Sequence, residues 1–364
     1  MSSAASHAPA LGVAGALSRD ALEHWLRETD PARLDQLWEA ADETRERYVG
    51  RAVHLRGLVE ISNHCARGCT YCGIRAANRG VQRYRVPAGV VVDCARAARR
   101  YGYGTVVLQS GEDYGLETDW VADVVRRIKQ DAGLAVTLSL GERPDEDLTA
   151  WRKAGADRYL LRFETSDETL YRRIHPDLGN RVSDRLAILR TLQDLGYEAG
   201  TGIMVGIPGQ TYASIADDID LFRDMDMDMI GIGPYLPHPA TPLGEEFAGR
   251  LAAGDWPADQ AANDELTTCK VLALTRLARP DSNLPATTAL SLVDKQAGRT
   301  HGLSRGANVV MPNLTPPEYR AKYEIYPEKA AVHETAEAIA QSIEDLLAAL
   351  GRTVGEGPGG RRTT

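Results

Sequence analysis

The stretch HLRGLVEISNHCARGCTYCGIR, residues 54–75, holds three of the five cysteines of the chain directly behind an apolar run. Residues 54–62 (HLRGLVEIS) read as a strand, and Cys65, Cys69 and Cys72 follow it on one short loop with the spacing C-x3-C-x2-C. Outward from this point, strand-like and helix-like segments alternate. Strands are expected at 105–110 (TVVLQS), 134–140 (LAVTLSL), 158–163 (RYLLRF), 197–206 (YEAGTGIMVG), 228–233 (DMIGIG), 283–290 (NLPATTAL) and 307–312 (ANVVMP). Helices are expected at 88–101, 120–130, 145–155, within 166–196, and at 214–225, 260–279 and 332–350. A single alternating series implies a parallel sheet. Eight strand–helix units over this length fit an α/β fold of the (β/α)8 TIM-barrel type better than an open sheet.

In such a barrel the chemistry sits at the C-terminal strand ends. Polar residues gather there: NHC after the first strand, QSGED after the second, SLGER, RFETS, GIPGQT, PYLPHP, ATT and MPN after the rest. Around the barrel segment 49–350, residues 1–17 read as a flexible leader and 18–48 as an amphipathic helical extension carrying Leu22, Trp25, Leu26, Leu34 and Leu37. Residues 351–364 (GRTVGEGPGGRRTT) are poor in apolar residues and read as a disordered tail.

With 364 residues, 43% of them hydrophobic, the chain can bury a large core. Its net charge of −9 is spread without a basic block, which argues against nucleic acid or an anionic membrane as partner. No apolar run approaches the ~18 residues of a membrane span, and the N-terminus lacks the basic and apolar regions of a signal peptide, so a cytoplasmic location is expected. Cys94 and Cys269 stand far apart in helical patterns and do not form a disulfide framework with the others.

Three thiolates on one loop can bind metal in two ways. They can form a zinc site completed by His64, since structural zinc takes four protein ligands. They can instead hold three corners of a 4Fe–4S cluster and leave one iron open to a nitrogen or oxygen ligand. Elsewhere, the carbonyls and carboxylate of LQSGED suit an ammonium group, although an ordinary polar loop reads the same way. Arg162 and Glu164, two residues apart, share one face of a strand. The adjacent Thr287 and Thr288 offer hydroxyls to an anionic ligand, or simple β-branched packing for one of them.

The loop C-x3-C-x-aromatic-C, with Tyr71 before the last cysteine, resembles the signature of radical SAM enzymes. The resemblance implies a 4Fe–4S cluster on Cys65, Cys69 and Cys72 whose open iron chelates S-adenosylmethionine (SAM). It implies reductive cleavage of SAM to methionine and a 5′-deoxyadenosyl radical. Within the superfamily, GCTYCGIR, LQSGED, VTLSLGE, KAGADRYLLR, VGIPGQT, DMIGIGPYLPHPATPL, GANVVMPNLTPPEYR and YEIYP are similar to segments of the HydE family of FeFe-hydrogenase maturases, related to PylB and biotin synthase. By resemblance, the SAM side comprises Tyr71, Gly111, Glu112, Ser139, Arg162, Glu164, Arg185, Met204, Ile232 and Tyr235, with Glu112 toward the amine, Glu164 toward the ribose and Arg185 toward the carboxylate. Thr287, Thr288, Met311, Tyr323 and Tyr326 fall on substrate-cavity positions, the two tyrosines reading equally well as caps of the barrel.

The family further implies a monomer, a small-molecule or organometallic substrate, and a flavodoxin- or ferredoxin-type electron donor. The chain departs from the family at Phe163, where HydE carries a histidine expected at the rim, and it lacks the cysteines with which some members bind a second cluster near 330–345. Alternative readings are a PylB-like enzyme acting on an amino-acid-like molecule and a non-catalytic metal-binding scaffold.

Overall fold

The computed structural model describes residue 11 and residues 17–179, 182–328 and 335–361. Most of the leader 1–17, the start of the last expected helix and residues 362–364 lie outside the described residues. The strands are β1 (Ala52–Ser62), β2 (Thr105–Ser110), β3 (Ala135–Ser139), β4 (Arg158–Leu160), β5 (Glu198–Val205), β6 (Met229–Pro234), β7 (Val309–Val310) and β8 (Thr353–Val354). Seven of them form one parallel sheet in the order β6-β5-β4-β3-β2-β1-β7. From β1 to β6 each neighbouring pair is joined by a crossover and β7 returns parallel beside β1, which places every strand's C-terminal end on the same rim. Register fixes this alignment: Leu58 pairs with Val107, and Val107 in turn with Thr137.

Crossover helices cover the outside. Ala88–Arg100, Thr118–Asp131 and Asp145–Ala154 fall where the sequence pattern places them, the last ending on Gly155 at φ 109. A left-handed residue at that position closes a helix, and glycine adopts it without a Cβ clash. The N-terminal segment forms two helices, Arg19–Arg27 and Pro31–Val49, capped by the Ser18 and Asp30 side chains. Their apolar stripe, with Leu22, Trp25, Leu26 and Leu37 fully buried, joins the main core.

The expected strand 283–290 takes another form. Asn283 bridges Met229 of β6, and Pro285 bridges Val309 of β7, so the segment fills the gap between those strands without a regular ladder. Proline supplies no N–H to a ladder, and side chains take over the missing pairing. Asn308 Oδ1 accepts from Leu284 N at 2.9 Å, and Asn308 Nδ2 donates to Asn283 Oδ1 at 2.8 Å. Thr287 then caps a helix, Thr288–Val293.

The tail is the largest correction. Residues 351–361 are not loose: β8 runs parallel to the start of β1, and Gly355 N donates to Val53 O at 2.8 Å. Thr105 Oγ1 donates to Pro358 O and Arg56 Nη2 to Gly359 O, each at 2.9 Å. Arg361 makes ion pairs with Asp226, Asp228 and Asp281 at 2.9, 3.1 and 2.6 Å. This segment is held by backbone groups and charge, so its lack of apolar residues says nothing about whether it is ordered.

Candidate active site

The cysteine loop leaves β1 and is stitched to several other strand exits. Gly111 N donates to Ser62 O at 3.2 Å and Ala66 N to Glu112 O at 2.9 Å, which fastens the loop to the end of β2. Gly111 has to be glycine, because a Cβ there would overlap His64 O and lie 2.8 Å from Cys65 Cβ. On the far side, Thr70 N donates to Ile174 O at 2.9 Å, Leu243 N to Thr70 O at 3.1 Å, and Gly73 N to Ile325 O at 3.1 Å. The three thiols are therefore presented by a loop whose backbone hydrogen bonds come from all round the rim.

Cys65, Cys69 and Cys72 line an upper cavity of about 230 Å³. Burial pushes all three thiols up, Cys69 to about 12, so they stay protonated unless a cation holds them as thiolates. The same cavity is walled by Tyr71, Gly111, Glu112, Ser139, Arg162, Glu164, Arg185, Met204 and Tyr235, as well as by Tyr323 and Tyr326. Arg162 and Glu164 both line it, although the expected strand 158–163 ends at Leu160 and strand alternation does not reach them. Glu164 lines it with φ 66, a left-handed conformation that costs a non-glycine residue ~1 kcal/mol or more and often marks functional sites.

Ile232 is the exception among the SAM-side positions. It lines neither cavity and acts through its carbonyl, which accepts from Thr287 Oγ1 at 3.0 Å.

A lower cavity of about 220 Å³ holds Thr287, Thr288, Met311 and Tyr326. Gln109, Ser139, Leu160, Arg162 and Tyr326 wall both cavities, so the two adjoin across these side chains and together make up the chamber of the barrel. Both threonines reach it because they sit where the bridging segment turns into a helix, where strand alternation no longer applies. Thr287 is also the helix cap, while Thr288 hydrogen-bonds Tyr326. Phe163 lies in neither wall: it is buried against Phe222, ring centroids 5.4 Å apart, on the outer face of the barrel wall. The departure from the family histidine therefore falls outside the chamber, not at its rim.

Sequence reasoning missed the group that fixes the charged residues. Arg67, on the cysteine loop, is buried and donates to Glu112 Oε1 at 2.8 Å and to Glu142 Oε2. Glu112 also accepts from Tyr114 Oη at 2.7 Å and from Glu142 N at 3.0 Å, so both its oxygens already have protein partners. Arg185 donates to Glu142 Oε1 at 2.9 Å, to Arg162 O at 2.5 Å and to His175 Nε2. His175 is buried and stacked on Tyr171, with centroids 5.1 Å apart. Burial, with Arg185 and Arg67 nearby, pushes its pKa down to about 2. The motifs GER and RIHPD were the only local hints, since these contacts close over long sequence distances.

A profile of the Radical SAM superfamily matches residues 59–222. The [FeFe] hydrogenase maturase subunit HydE of Thermotoga maritima is 44% identical over 345 residues, covering 95% of this chain and 94% of the relative. The chain belongs to the HydE family of radical SAM enzymes. The 3-methylornithine synthase of Methanosarcina acetivorans is a more distant relative, 28% identical over 81% of this chain and 79% of its own length. Among solved structures, methylornithine synthase (PylB) superposes with a TM-score of 0.78 at 24% identity, over 93% of this chain and 94% of that one. HydG from Carboxydothermus hydrogenoformans superposes with a TM-score of 0.75 at 18% identity, over 92% and 75%. These two show the shared fold.

As a radical SAM enzyme of the HydE family, the chain uses a 4Fe–4S cluster and SAM, and its residues fit both. Among the described residues, no three His, Cys, Asp or Glu side chains converge on a single ion position. His64 does not line the cavity, which leaves the zinc arrangement without its fourth ligand. Thiolates bound to separate iron corners need no such convergence. Two buried polar atoms of lining residues also lack a hydrogen-bond partner, Arg67 Nη1 and Tyr235 Oη, while Arg162 Nε and Glu164 Oε2 face each other as an ion pair at 3.2 Å. A zwitterion bearing hydroxyls can supply partners to such atoms. No described helix is long and apolar enough to cross a membrane.

Proposed function

We propose that this enzyme acts in the maturation of an [FeFe]-hydrogenase, on a small organometallic iron–cysteine precursor held in the lower cavity. The observation that carries the reading is the 44% identity to a HydE maturase along almost the whole of both chains. It is supported by Thr287, Thr288, Met311 and Tyr326 lining a cavity that adjoins the one holding the thiols. On this reading the barrel is a complete (β/α)8 barrel over 49–350, with residues 283–286 as its irregular seventh strand.

Cys65, Cys69 and Cys72 hold the cluster. Bound there, the cluster would supply the one-electron reduction that cleaves SAM. Arg185 takes the SAM carboxylate, Glu164 the ribose hydroxyls, and the Ser110–Gly111 backbone the amine. Glu112, held by Arg67, Tyr114 and the Glu142 backbone N–H, keeps that backbone in place. Tyr71, Met204 and Tyr235 flank the nucleoside, and Ser139 stands at the passage to the substrate. An external flavodoxin or ferredoxin supplies the electron, and the enzyme works as a monomer in the cytoplasm.

The test is anaerobic maturation of an apo-hydrogenase with the other maturation proteins. The wild type should yield hydrogen-evolving enzyme and the Cys69→Ala variant none. If the wild type forms 5′-deoxyadenosine but matures no hydrogenase, the substrate is another small molecule, as the relation to 3-methylornithine synthase would then suggest.

A further inference from the structure

We infer that His175 is the positioning residue for Arg185, and that the Ile174–His175 pair sets the arginine in register with the cysteine loop. The inference rests on the reading of Arg185 as the SAM-carboxylate ligand and explains how that ligand is aimed.

Counting protons carries the argument. A guanidinium has five N–H donors and no acceptor. Arg185 spends Nε–H on Glu142 at 2.9 Å, one Nη1–H on the Arg162 carbonyl at 2.5 Å and one Nη2–H on His175 Nε2. One N–H is left on each terminal nitrogen, at a side chain that lines the upper cavity. Two such donors are what a carboxylate takes end-on and bidentate. His175 thus selects which two donors remain for the ligand.

The histidine can do this only as a neutral acceptor, and its surroundings hold it so. Nε2 faces a donor-only group, so the proton sits on Nδ1, 3.2 Å from Tyr171 Oη. Tyr171 Oη is 2.6 Å from Ser183 Oγ, and Ser183 Oγ donates to Glu142 Oε1 at 2.5 Å. Glu142 Oε1 accepts again from Arg185 Nε. The ring Arg185–His175–Tyr171–Ser183–Glu142 closes with Arg185 donating on both sides and Glu142 Oε1 accepting from both. A protonated imidazole would break it, because both nitrogens would then be donors.

The adjacent residue links this ring to the thiols. Ile174 O accepts from Thr70 N at 2.9 Å, between Cys69 and Tyr71. The two-residue step Ile174–His175 therefore fixes one end of the cysteine loop and one side of the guanidinium.

The experiment measures SAM binding by calorimetry on the reconstituted protein, alongside its iron content and the electron paramagnetic resonance (EPR) spectrum of its SAM-free cluster. His175→Leu should weaken SAM at least tenfold while leaving iron content and the SAM-free spectrum as in the wild type. His175→Gln, which keeps an acceptor, should recover most of that loss, and Tyr171→Phe should cost less than His175→Leu. SAM affinity within twofold of wild type in His175→Leu overturns the inference, as does a His175→Gln variant no better than Leu. Arg185→Lys separates the two levels. If it binds SAM normally, the reading of Arg185 fails and the inference with it. If it binds poorly while His175→Leu binds well, only the inference fails.

Discussion

The two halves of the chamber are built on opposite principles. In the upper half the arginines have carboxylate partners: Arg67 with Glu112 and Glu142, Arg185 with Glu142, and Arg162 with Glu164. In the lower half Arg56 is fully buried, yet among the described residues it makes no ion pair. It hydrogen-bonds only the Met229 sulfur and the Gly359 carbonyl, both at 2.9 Å, and burial pushes its pKa down to about 9. Gly231 lies in the same wall without steric need, because a Cβ there would meet only Thr201 O at 3.7 Å. The upper half is preorganised by charge for a ligand of fixed shape. The lower half is shaped by omission, with bare backbone and a cation left unneutralised.

The largest expected effect tests the upper half alone. Cys69→Ala should abolish both the cluster and 5′-deoxyadenosine formation, measured by iron content and chromatography. The contrast itself is tested by one substitution made twice. Arg67→Met leaves two buried carboxylates short of a partner and should destabilise the apo-protein by about 3–5 kcal/mol in denaturant melts. Arg56→Met removes a buried charge that has no counter-ion, and the same melts should show little change or a gain of up to ~2 kcal/mol. Equal losses from the two would break the comparison.

A finer test fills the lower half. Gly231→Val should keep or raise the melting temperature and leave SAM binding intact, while hydrogenase maturation falls about tenfold or more, roughly 1.4 kcal/mol of lost productive binding. A melting temperature that drops sharply would mean that the glycine is needed for the backbone and not for room. The smallest effect concerns the floor: Arg361→Ala should cost about 1 kcal/mol, since its partners are partly exposed, and should leave SAM binding unchanged.

What could be read from sequence divides along similar lines. The cysteine loop, the first three strands and the crossover helices between them are local signals of spacing and periodicity, and they fall where the pattern puts them, whereas β4 stops at Leu160 and 283–290 forms no regular ladder. Arg162 and Glu164 do reach one cavity, but not by strand alternation, because β4 ends at Leu160 and Glu164 is left-handed. The Arg67 contacts were not legible, because they join residues 45 and 75 positions apart, and the His175–Arg185 contact, only ten positions apart, depends on how the rim loop between them folds. Composition misjudged the tail, since backbone carbonyls such as Gly359 O carry no compositional signal. Phe163 looked consequential in sequence, but its side chain turns to the outer shell against Phe222. Glu112 was read as a ligand group, and it does line the upper cavity, with each oxygen also accepting from a protein donor.

The central claim is that the loop has three thiols because SAM completes the cluster. EPR of the reduced, reconstituted protein with and without SAM tests it most directly. The account predicts one 4Fe–4S signal whose g-values shift when SAM is added, with 5′-deoxyadenosine recovered from the same sample. An identical spectrum in the presence of excess SAM, and no 5′-deoxyadenosine, would contradict it.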